Sequence, residues 1–592
     1  TASRQQLRVT AYFSDGGSRD VTRQAVYESN EPNIAEVGRD GLVETNDHTG
    51  LFAVMVRFGG KVATFHAAVP QAVDEQQQTL VQSYLDELGQ RLDSPIDQLL
   101  LRQWKRLGIT PSIPADDSTF IRRASIDICG TLPTRHEVEA YVANKNPDKR
   151  ARLIDRLLER PEYASYFALK WAEILQNRGS GYSTSKQRAG TALFAGWIRD
   201  SIVANKPYDQ FVSEIITASG SQDENPPTIW YRQVRTRQDY VESVAQAFLG
   251  VRVQCAQCHH HPFERWSQAD YYGLTAVFSR VGRKGGFTDA EVPTNEIIYV
   301  KDAGVVRHPR TGQLVVPKAL GGPQFKLTRY DDPRQSFVKW MTAADNPFFA
   351  RTMANRMWAH FHGRGIVHPI DDARSTNPPT NPELLDALAT DFSEHGYDVK
   401  RLVRVICLSY SYGLQSAPNE LNRDDNQTFA RFYPRRLAAE VLLDGISQVL
   451  GVPTQFAGGG GAFPTGTRAI ELPDENVTSS FLDVFGRPAR TSACECERSD
   501  APGLSQALTL INSNEIQRKL ISKDGYAARL ASNKLSHIEN TNDVFWRFLG
   551  RDPSRQESQA AVAFLKSDDD LVEAYRSLLW SLLATNEFMF NH

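Results

Sequence analysis

The sequence is poor in cysteine, has no long apolar run and carries little net charge. Six cysteines in 592 residues are too few for a disulfide-dense scaffold. No apolar stretch approaches the roughly 18 residues of a membrane-spanning helix, so we expect no transmembrane segment. Lysine plus arginine (67) nearly balances aspartate plus glutamate (70), which leaves a formal charge of −3. Because general nucleic-acid binders need a clustered basic field, nucleic acid is not an expected partner.

Common catalytic motifs are also missing. The sequence contains no nucleophile elbow, no phosphate-binding P-loop, no Rossmann glycine fingerprint and no HExxH zinc motif. These absences argue against the enzyme classes that depend on those motifs. The composition, with 23% charged and 10% aromatic residues, is that of an ordinary folded chain. Its length suggests about three to five domains, or fewer large ones.

The N-terminal residues 1–70 are predicted to form strands. Residues 6–13 alternate side chains with a period of two, and further short apolar runs separated by Asp/Gly turns continue to residue 69. Short strands at regular spacing indicate a small antiparallel β-sandwich. Residues 12–17, 20–22 and 41–43 resemble bacterial group 2 immunoglobulin-like domains. That resemblance implies an Ig-like spacer or adhesive module and favours an exported protein over any particular activity.

Helical patterning follows the β region. Residues 71–93 carry apolar side chains at helical spacing with few helix breakers, which predicts a connecting helix. Amphipathic segments predict two helical domains, 94–283 and 333–592. Between them, residues 284–332 contain two β-like runs around an Arg-Thr-Gly turn, which predicts a β-hairpin insert. The predicted fold is multidomain: a small all-β Ig-like sandwich followed by a large, mainly α-helical body with a small β insert.

Four of the six cysteines form two close pairs, and one pair lies in the pentapeptide CAQCH at 255–259. C-x-x-C-H is the attachment pattern of c-type haem, in which each thiol bonds a vinyl group and the histidine is an axial iron ligand. The pattern predicts haem c on Cys255 and Cys258 with His259 bound to the iron. A zinc or other metal site that also uses His261, or a disulfide or free thiols, are the alternatives.

A second iron ligand would come from elsewhere in the chain. His260 and His261 adjoin the first ligand in sequence and cannot easily reach the opposite haem face. Candidates from another helix are Met353, Met357, His360, His362 and His368. Histidines two positions apart diverge by roughly 200° on a helix, so at most one of His360 and His362 faces a given site. Each candidate could instead be an ordinary core or surface side chain. His261 could also line the pocket or hydrogen-bond a haem propionate, and iron without a second ligand would favour catalysis.

The second cysteine pair is Cys494 and Cys496. These cysteines could form a C-x-C disulfide, bind a soft metal, or pair separately with Cys129 and Cys407. We favour the disulfide, and we expect the other two cysteines to be buried. The arginines and acids at 487–500 could form an ion-pair network or contact an anionic group.

Adjacent carboxylates occur in a polar loop predicted between helices. Asp371 and Asp372 could act in general acid–base chemistry or bind a hard cation such as Ca²⁺. Helix caps and salt bridges are the alternative.

Residues around the haem motif resemble a known family pair. The segment CAQCHHHPF at 255–263, followed by Trp266, Gln268 and 270–272, is similar to the planctomycete-type cytochrome-associated domain of unknown function. Upstream segments agree with it: 122–123, 127, 130–134, 153–158 and 206–211. Downstream segments resemble its usual C-terminal companion: 346–351, 355–360, 363–367, 371–372, 377–379, 382–385, 494–498, 506–508 and 512. The resemblance covers about 95–592 and implies an association with cytochromes, not a reaction.

The sequence therefore favours an exported c-type haem protein with a redox function. It would serve either electron transfer or a haem c-dependent oxidoreductase reaction on an extracellular substrate, with carbohydrate as one candidate. Because haem c is attached outside the cytoplasm, we expect a periplasmic or cell-surface location, with a redox protein or that substrate as the partner. One alternative is a non-redox surface-binding or scaffold protein with a structural metal. Another is a metal-dependent hydrolase that uses Asp371 and Asp372.

Overall fold

The structure, a computed structural model, describes residues 3–179, 190–261, 263–285, 296–458, 461–498 and 503–592. Within those ranges, no helix has both the length and the apolar character needed to cross a membrane.

The N-terminal part of the chain is β-rich. Its strands are β1 (Arg4–Gln6), β2 (Thr10–Tyr12), β3 (Ser18–Asp20), β4 (Val26–Ser29), β5 (Ala35–Val37), β6 (Leu42–Thr45), β7 (Gly50–Phe58) and β8 (Lys61–Val69). They pair antiparallel in the orders β1-β6-β5, β2-β3 and β4-β7-β8. Alternating apolar residues such as Phe52, Val54 and Val56 place one face of β7 in a core that is separate from the helical body. The predicted antiparallel β region is confirmed at this level, while its Ig-like topology stays a prediction.

A connecting helix and the first helical region follow. The elements are α1 (Glu75–Gly89), α2 (Pro95–Leu107), α3 (Asp117–Cys129), α4 (Arg135–Ala143), α5 (Lys149–Leu158), α6 (Pro161–Ile174), α7 (Thr191–Val203), α8 (Tyr208–Ile216), β9 (Gly220–Ser221), α9 (Trp230–Gln233), α10 (Arg237–Phe248), α11 (Gln268–Val277) and β10 (Val281–Lys284). α1 lies within the segment predicted as a connecting helix, and the side chain of Asp74 caps its first turn.

The rest of the chain is again mainly helical. Its elements are β11 (Ile297–Val300), α12 (Pro333–Met341), α13 (Phe349–His362), α14 (Pro382–Glu394), α15 (Val399–Cys407), β12 (Arg435–Arg436), α16 (Ala439–Leu450), β13 (Ala457–Gly458), β14 (Gly461–Ala462), α17 (Ser480–Val484), α18 (Leu504–Asn512), α19 (Asn514–Leu520), α20 (Tyr526–Ser532), α21 (His537–Leu549), α22 (Arg555–Ser567), α23 (Leu571–Leu583), α24 (Asn586–Met589) and β15 (Phe590–Asn591). One hydrophobic core extends from Val81 to Phe588 and includes the buried Trp104, Trp230 and Trp358. The two helical regions therefore pack as one body.

The predicted β insert contains strand pairing beyond the hairpin expected around the Arg-Thr-Gly turn. β11 pairs antiparallel with β10 on one side and with β9 on the other. At the Arg-Thr-Gly turn of residues 310–312, the strand pairing is a single bridge between Arg307 and Leu314. Pro309 lies on the turn side of this bridge, and Pro317 lies beyond its other side. Because proline has no backbone N–H, neither residue can donate a hydrogen bond that would extend the ladder.

Gly250 fixes the direction in which the chain leaves α10. Its φ is +65°, and a Cβ added there would lie 2.8 Å from Oγ1 of Thr352 on α13. Its carbonyl accepts a hydrogen bond from the N–H of Ala373 at 2.8 Å. Only glycine meets both the conformational and the spatial requirement at this position.

We therefore expect Gly250→Ala to lower the free energy of unfolding by roughly 1–2 kcal/mol, the cost of a left-handed conformation for a residue with a Cβ. Urea denaturation followed by circular dichroism measures the change. Gly196→Ala is the matched control, because Gly196 lies inside α7 with no atom within 4 Å of an added Cβ. That variant should be neutral or stabilised by about 0.5–1 kcal/mol. Equal effects of the two substitutions would contradict the prediction.

Candidate functional site

The CAQCH segment lies in the connection between α10 and α11. Residues Gln254–Gln257 form a single 3₁₀ turn, which Cys258 follows. α11 begins with a capping box in which Ser267 and Asp270 each accept the other's backbone N–H. Nε2 of Gln268 donates to the carbonyl of Gln257 at 2.8 Å, and this bond ties the turn to the start of α11.

Both cysteines of the motif are exposed free thiols, Cys255 within this turn and Cys258 directly after it. Ala256 between them is fully buried, so the turn is anchored in the core through that residue. Covalent haem attachment needs two accessible thiols at this spacing, and Cys255 and Cys258 meet that requirement.

His259 is exposed, and one of its two ring nitrogens contacts the backbone. Its Nδ1 lies 2.6 Å from the carbonyl oxygen of His260. A carbonyl oxygen only accepts, so Nδ1 is the donor in this contact and Nε2 is the ring nitrogen left to face a metal. A metal-bound imidazole commonly donates its other N–H to a backbone carbonyl in this way. The thiols and the imidazole therefore fit a covalently attached haem.

The loop after α13 holds the motif segment against the body. Asp371 forms an ion pair with Nη2 of Arg252 at 2.6 Å and also accepts a hydrogen bond from Gln246. Farther along, Glu264 accepts the backbone N–H of Ser375 at 3.1 Å and a hydrogen bond from its hydroxyl. The segment is thus fixed on both sides of the motif.

The acidic pair predicted from the sequence is engaged in ion pairs. Asp371 pairs with Arg252, and Asp372 lies 3.1 Å from Nε of Arg374. Burial raises the pKa of Asp372, although Arg374 and Arg252 counteract the shift. A cation bound here would have to displace both arginines. In the part of the chain that the structure describes, no group of three or more His, Cys, Asp or Glu side chains is arranged to hold a metal ion.

Four of the predicted second ligands lie on α13: Met353, Met357, His360 and His362. Met353 is fully buried in the core, and Met357 and His360 line a cavity. Nε2 of His360 lies 2.7 Å from the carbonyl oxygen of Asp127, to which it donates. Burial holds the pKa of His360 well below its usual value.

Two other predicted histidines are hydrogen-bonded in different surroundings. His362 stacks on Trp358 with ring centroids 3.9 Å apart, and its Nε2 lies 2.9 Å from Oγ of Ser411. Burial lowers the pKa of His362 to about 3. His261 is buried close to the motif, and its Nδ1 accepts the N–H of Phe263 at 3.3 Å. The identity of a second ligand stays a prediction.

A cavity of about 300 Å³ lies between α6, α13 and residues 488–498. It brings together several residues that the sequence singled out separately: Met357, His360, His368, Asp371, Cys494, Glu497 and Arg498. Its wall also contains Lys170, Arg356 and Arg435, which sequence reasoning missed. These three side chains come from α6, α13 and β12, which are far apart in the chain. No local sequence pattern therefore groups them.

The ion-pair network predicted around residues 487–500 is centred on Arg498. Its guanidinium lies 2.5 Å from Glu173 and 2.9 Å from Glu440. Burial alone would lower the pKa of Arg498, but the two carboxylates raise it above its usual value. Arg356 forms a second pair with Glu495 at 2.7 Å.

The remaining cysteines divide into two kinds. Cys494, at the cavity wall, is disulfide-bonded, while the predicted role of the Cys496 side chain lies outside the described residues. Cys129 and Cys407 are buried free thiols, as expected from the sequence. Burial raises the pKa of Cys129 to about 12, which leaves this thiol protonated.

Two family models match the helical body. Residues 95–283 match the model described as PSCyt2, protein of unknown function (DUF1549), and residues 333–565 match PSD1, protein of unknown function (DUF1553). These matches confirm the predicted resemblance to the planctomycete cytochrome-associated domain pair. Neither match reaches the β-rich N-terminal residues. No curated protein and no solved structure matches the chain.

We expect Arg498→Gln to destabilise the protein by about 3–5 kcal/mol, because Glu173 and Glu440 would remain buried without their cation. Urea denaturation measures the change. Burial raises the pKa of Glu173, so protonation relieves the uncompensated charge at low pH, and the loss should be smaller at pH 5 than at pH 8.

The matched control for this prediction is Arg102→Gln. Arg102 and Glu383 form a surface pair with side chains 64% and 69% exposed, and such pairs contribute about 0–1 kcal/mol. A loss of similar size in the two variants would contradict a stabilising role for the Arg498 network.

Proposed function

Because the chain carries the PSCyt2 and PSD1 domain pair, with CAQCH inside the first domain, we propose that it is an exported c-type haem protein with a redox function. Cys255 and Cys258 would hold the haem, and His259 would be its axial ligand. The observation that carries this proposal is the presence of two exposed free thiols, in and directly after one turn, beside an exposed imidazole whose Nδ1 contacts a backbone carbonyl.

Haem, when bound, supplies an iron centre that exchanges single electrons. The chain itself contributes attachment and orientation. The two thiols fix the position of the group, and the N–H of His259 bonded to the His260 carbonyl orients the imidazole. Asp371 pairs with Arg252, and Glu264 accepts a hydrogen bond from Ser375. These contacts hold the motif segment against the body of the protein and maintain its geometry.

The proposed location is the periplasm or the cell surface, since haem c is attached outside the cytoplasm. The partner would be a redox protein in electron transfer, or an extracellular substrate in an oxidoreductase reaction. Exposure of the two cysteines and of His259 supports a partner that approaches the motif from solvent.

We expect the protein, produced in a periplasm with a c-type haem maturation system, to carry one covalent haem per chain. Intact mass should increase by one porphyrin, and the absorption spectrum should show a Soret band with sharpened bands after reduction by dithionite. Cys255→Ser/Cys258→Ser should abolish covalent haem, because no thiol remains at the motif. His259→Gly should retain the mass increase but shift the Soret band, because it removes only the axial ligand.

Cys129→Ala is the control, since Cys129 is buried and distant in sequence from the motif. This variant should load haem as the unmodified protein does. A colourless protein of unmodified mass would refute the proposal. Stoichiometric zinc in that protein, measured by plasma emission spectrometry, would favour the structural-metal alternative.

A further inference from the structure

The cavity between α6, α13 and residues 488–498, called the charged cavity below, is lined by more cationic than anionic side chains. Five cations line it, Lys170, Arg356, Arg364, Arg435 and Arg498, against four carboxylates. Burial lowers the pKa of the lining histidines His360 and His368, so these add no positive charge near neutral pH. A volume of about 300 Å³ is at the lower end of the range for small-molecule sites.

The four carboxylates are already engaged. Two of them pair with lining arginines, Glu173 with Arg498 and Glu495 with Arg356. The other two have partners outside the cavity wall. Asp371 pairs with Arg252, and Glu497 accepts hydrogen bonds from the backbone N–H groups of Thr491 and Ser492 and from the Thr491 hydroxyl. Of the remaining cations, Arg435 pairs with Asp127 and Arg364 pairs with Glu31, both outside the cavity wall. Within the described residues, Lys170 is left without an ion-pair partner.

Lys170 is one lining cation with unused hydrogen-bonding capacity within the part of the chain that the structure describes. Its Nζ lies 5.2 Å from the ring centroid of Tyr166, and among the residues that the structure describes it makes no ion pair or hydrogen bond. The charge of Lys170 acts on both Glu173 and His360, which places it beside two other lining residues. An ammonium group at a cavity wall is a ready partner for an anion.

Arg364 is a second cation with unused hydrogen-bonding capacity. Its Nη2 reaches Glu31 of the β-rich unit at 3.2 Å, while its Nε is buried without a hydrogen-bond partner within the described ranges. A buried N–H without an acceptor is energetically unfavourable, and an anion oxygen would satisfy it.

Two glycines shape the backbone on either side of Arg364. Gly363 ends α13 with a φ of +79°. A Cβ at Gly365 would lie 2.3 Å from the carbonyl oxygen of Val367. The turn therefore disfavours side chains on both sides of Arg364, which itself lies in the cavity wall.

We propose that this cavity binds a small oxyanion-bearing ligand, with its carboxylate, sulfate or phosphate group held by Lys170 and Arg364. Trp171 and Met357 supply apolar wall for the remainder of the ligand. The site involves no residue of the 255–259 motif, so it stands independently of haem attachment.

Isothermal titration calorimetry with sodium sulfate, sodium phosphate and sodium citrate, at constant ionic strength, tests the proposal on the full chain. We expect saturable binding of at least one of these anions. Lys170→Gln and Arg364→Gln should each weaken it about tenfold, equivalent to about 1.4 kcal/mol. Lys170→Arg should retain most of the affinity, because it keeps the charge.

Lys145→Gln is the matched control, since Lys145 is exposed and lies outside the cavity wall. It should bind as the unmodified protein does, and circular dichroism should show that every variant is folded. Absence of binding by all three anions, or affinity unchanged in both Lys170→Gln and Arg364→Gln, would overturn the proposal. Repeating the titration on Cys255→Ser/Cys258→Ser separates the two proposals, because anion binding should persist without haem.

Discussion

The ion pair between Asp371 and Arg252 joins the two helical domains at the position where the motif segment leaves the core. Asp371 is almost completely buried, and a buried carboxylate is tolerated only when it is paired and hydrogen-bonded. Arg252 and Gln246 provide those partners from the first domain. The same carboxylate forms part of the cavity wall. The pair therefore links the segment that carries the CAQCH turn to the wall of the charged cavity.

The rest of the body reinforces this arrangement. One hydrophobic core includes side chains from both family-matched regions, so separating them would expose apolar surface that each now covers for the other. Ion pairs also join the two regions. Arg498 of the second region, for example, pairs with Glu173 of the first. The two domains therefore form one unit because they share a hydrophobic core and are joined by ion pairs.

Local patterns predicted much of the fold. Side-chain periodicity located the β-rich unit, the connecting helix and the helical body, because each period reports which face of an element is buried. The pairing of β11 with β10 and β9 was less predictable, because these strands lie outside the hairpin expected around the Arg-Thr-Gly turn. Strand partners depend on long-range contacts that a local pattern does not encode.

The sequence by itself determined the motif, the family resemblance and the order of the β and helical regions. These depend on residue type and short spacing. Only the tertiary structure decided that both motif thiols are exposed, that Asp371 and Asp372 are ion-paired, and that Lys170, Arg364 and Arg498 meet at one cavity. Helices α6 and α13 are far apart in the chain, and packing alone brings their charged side chains together.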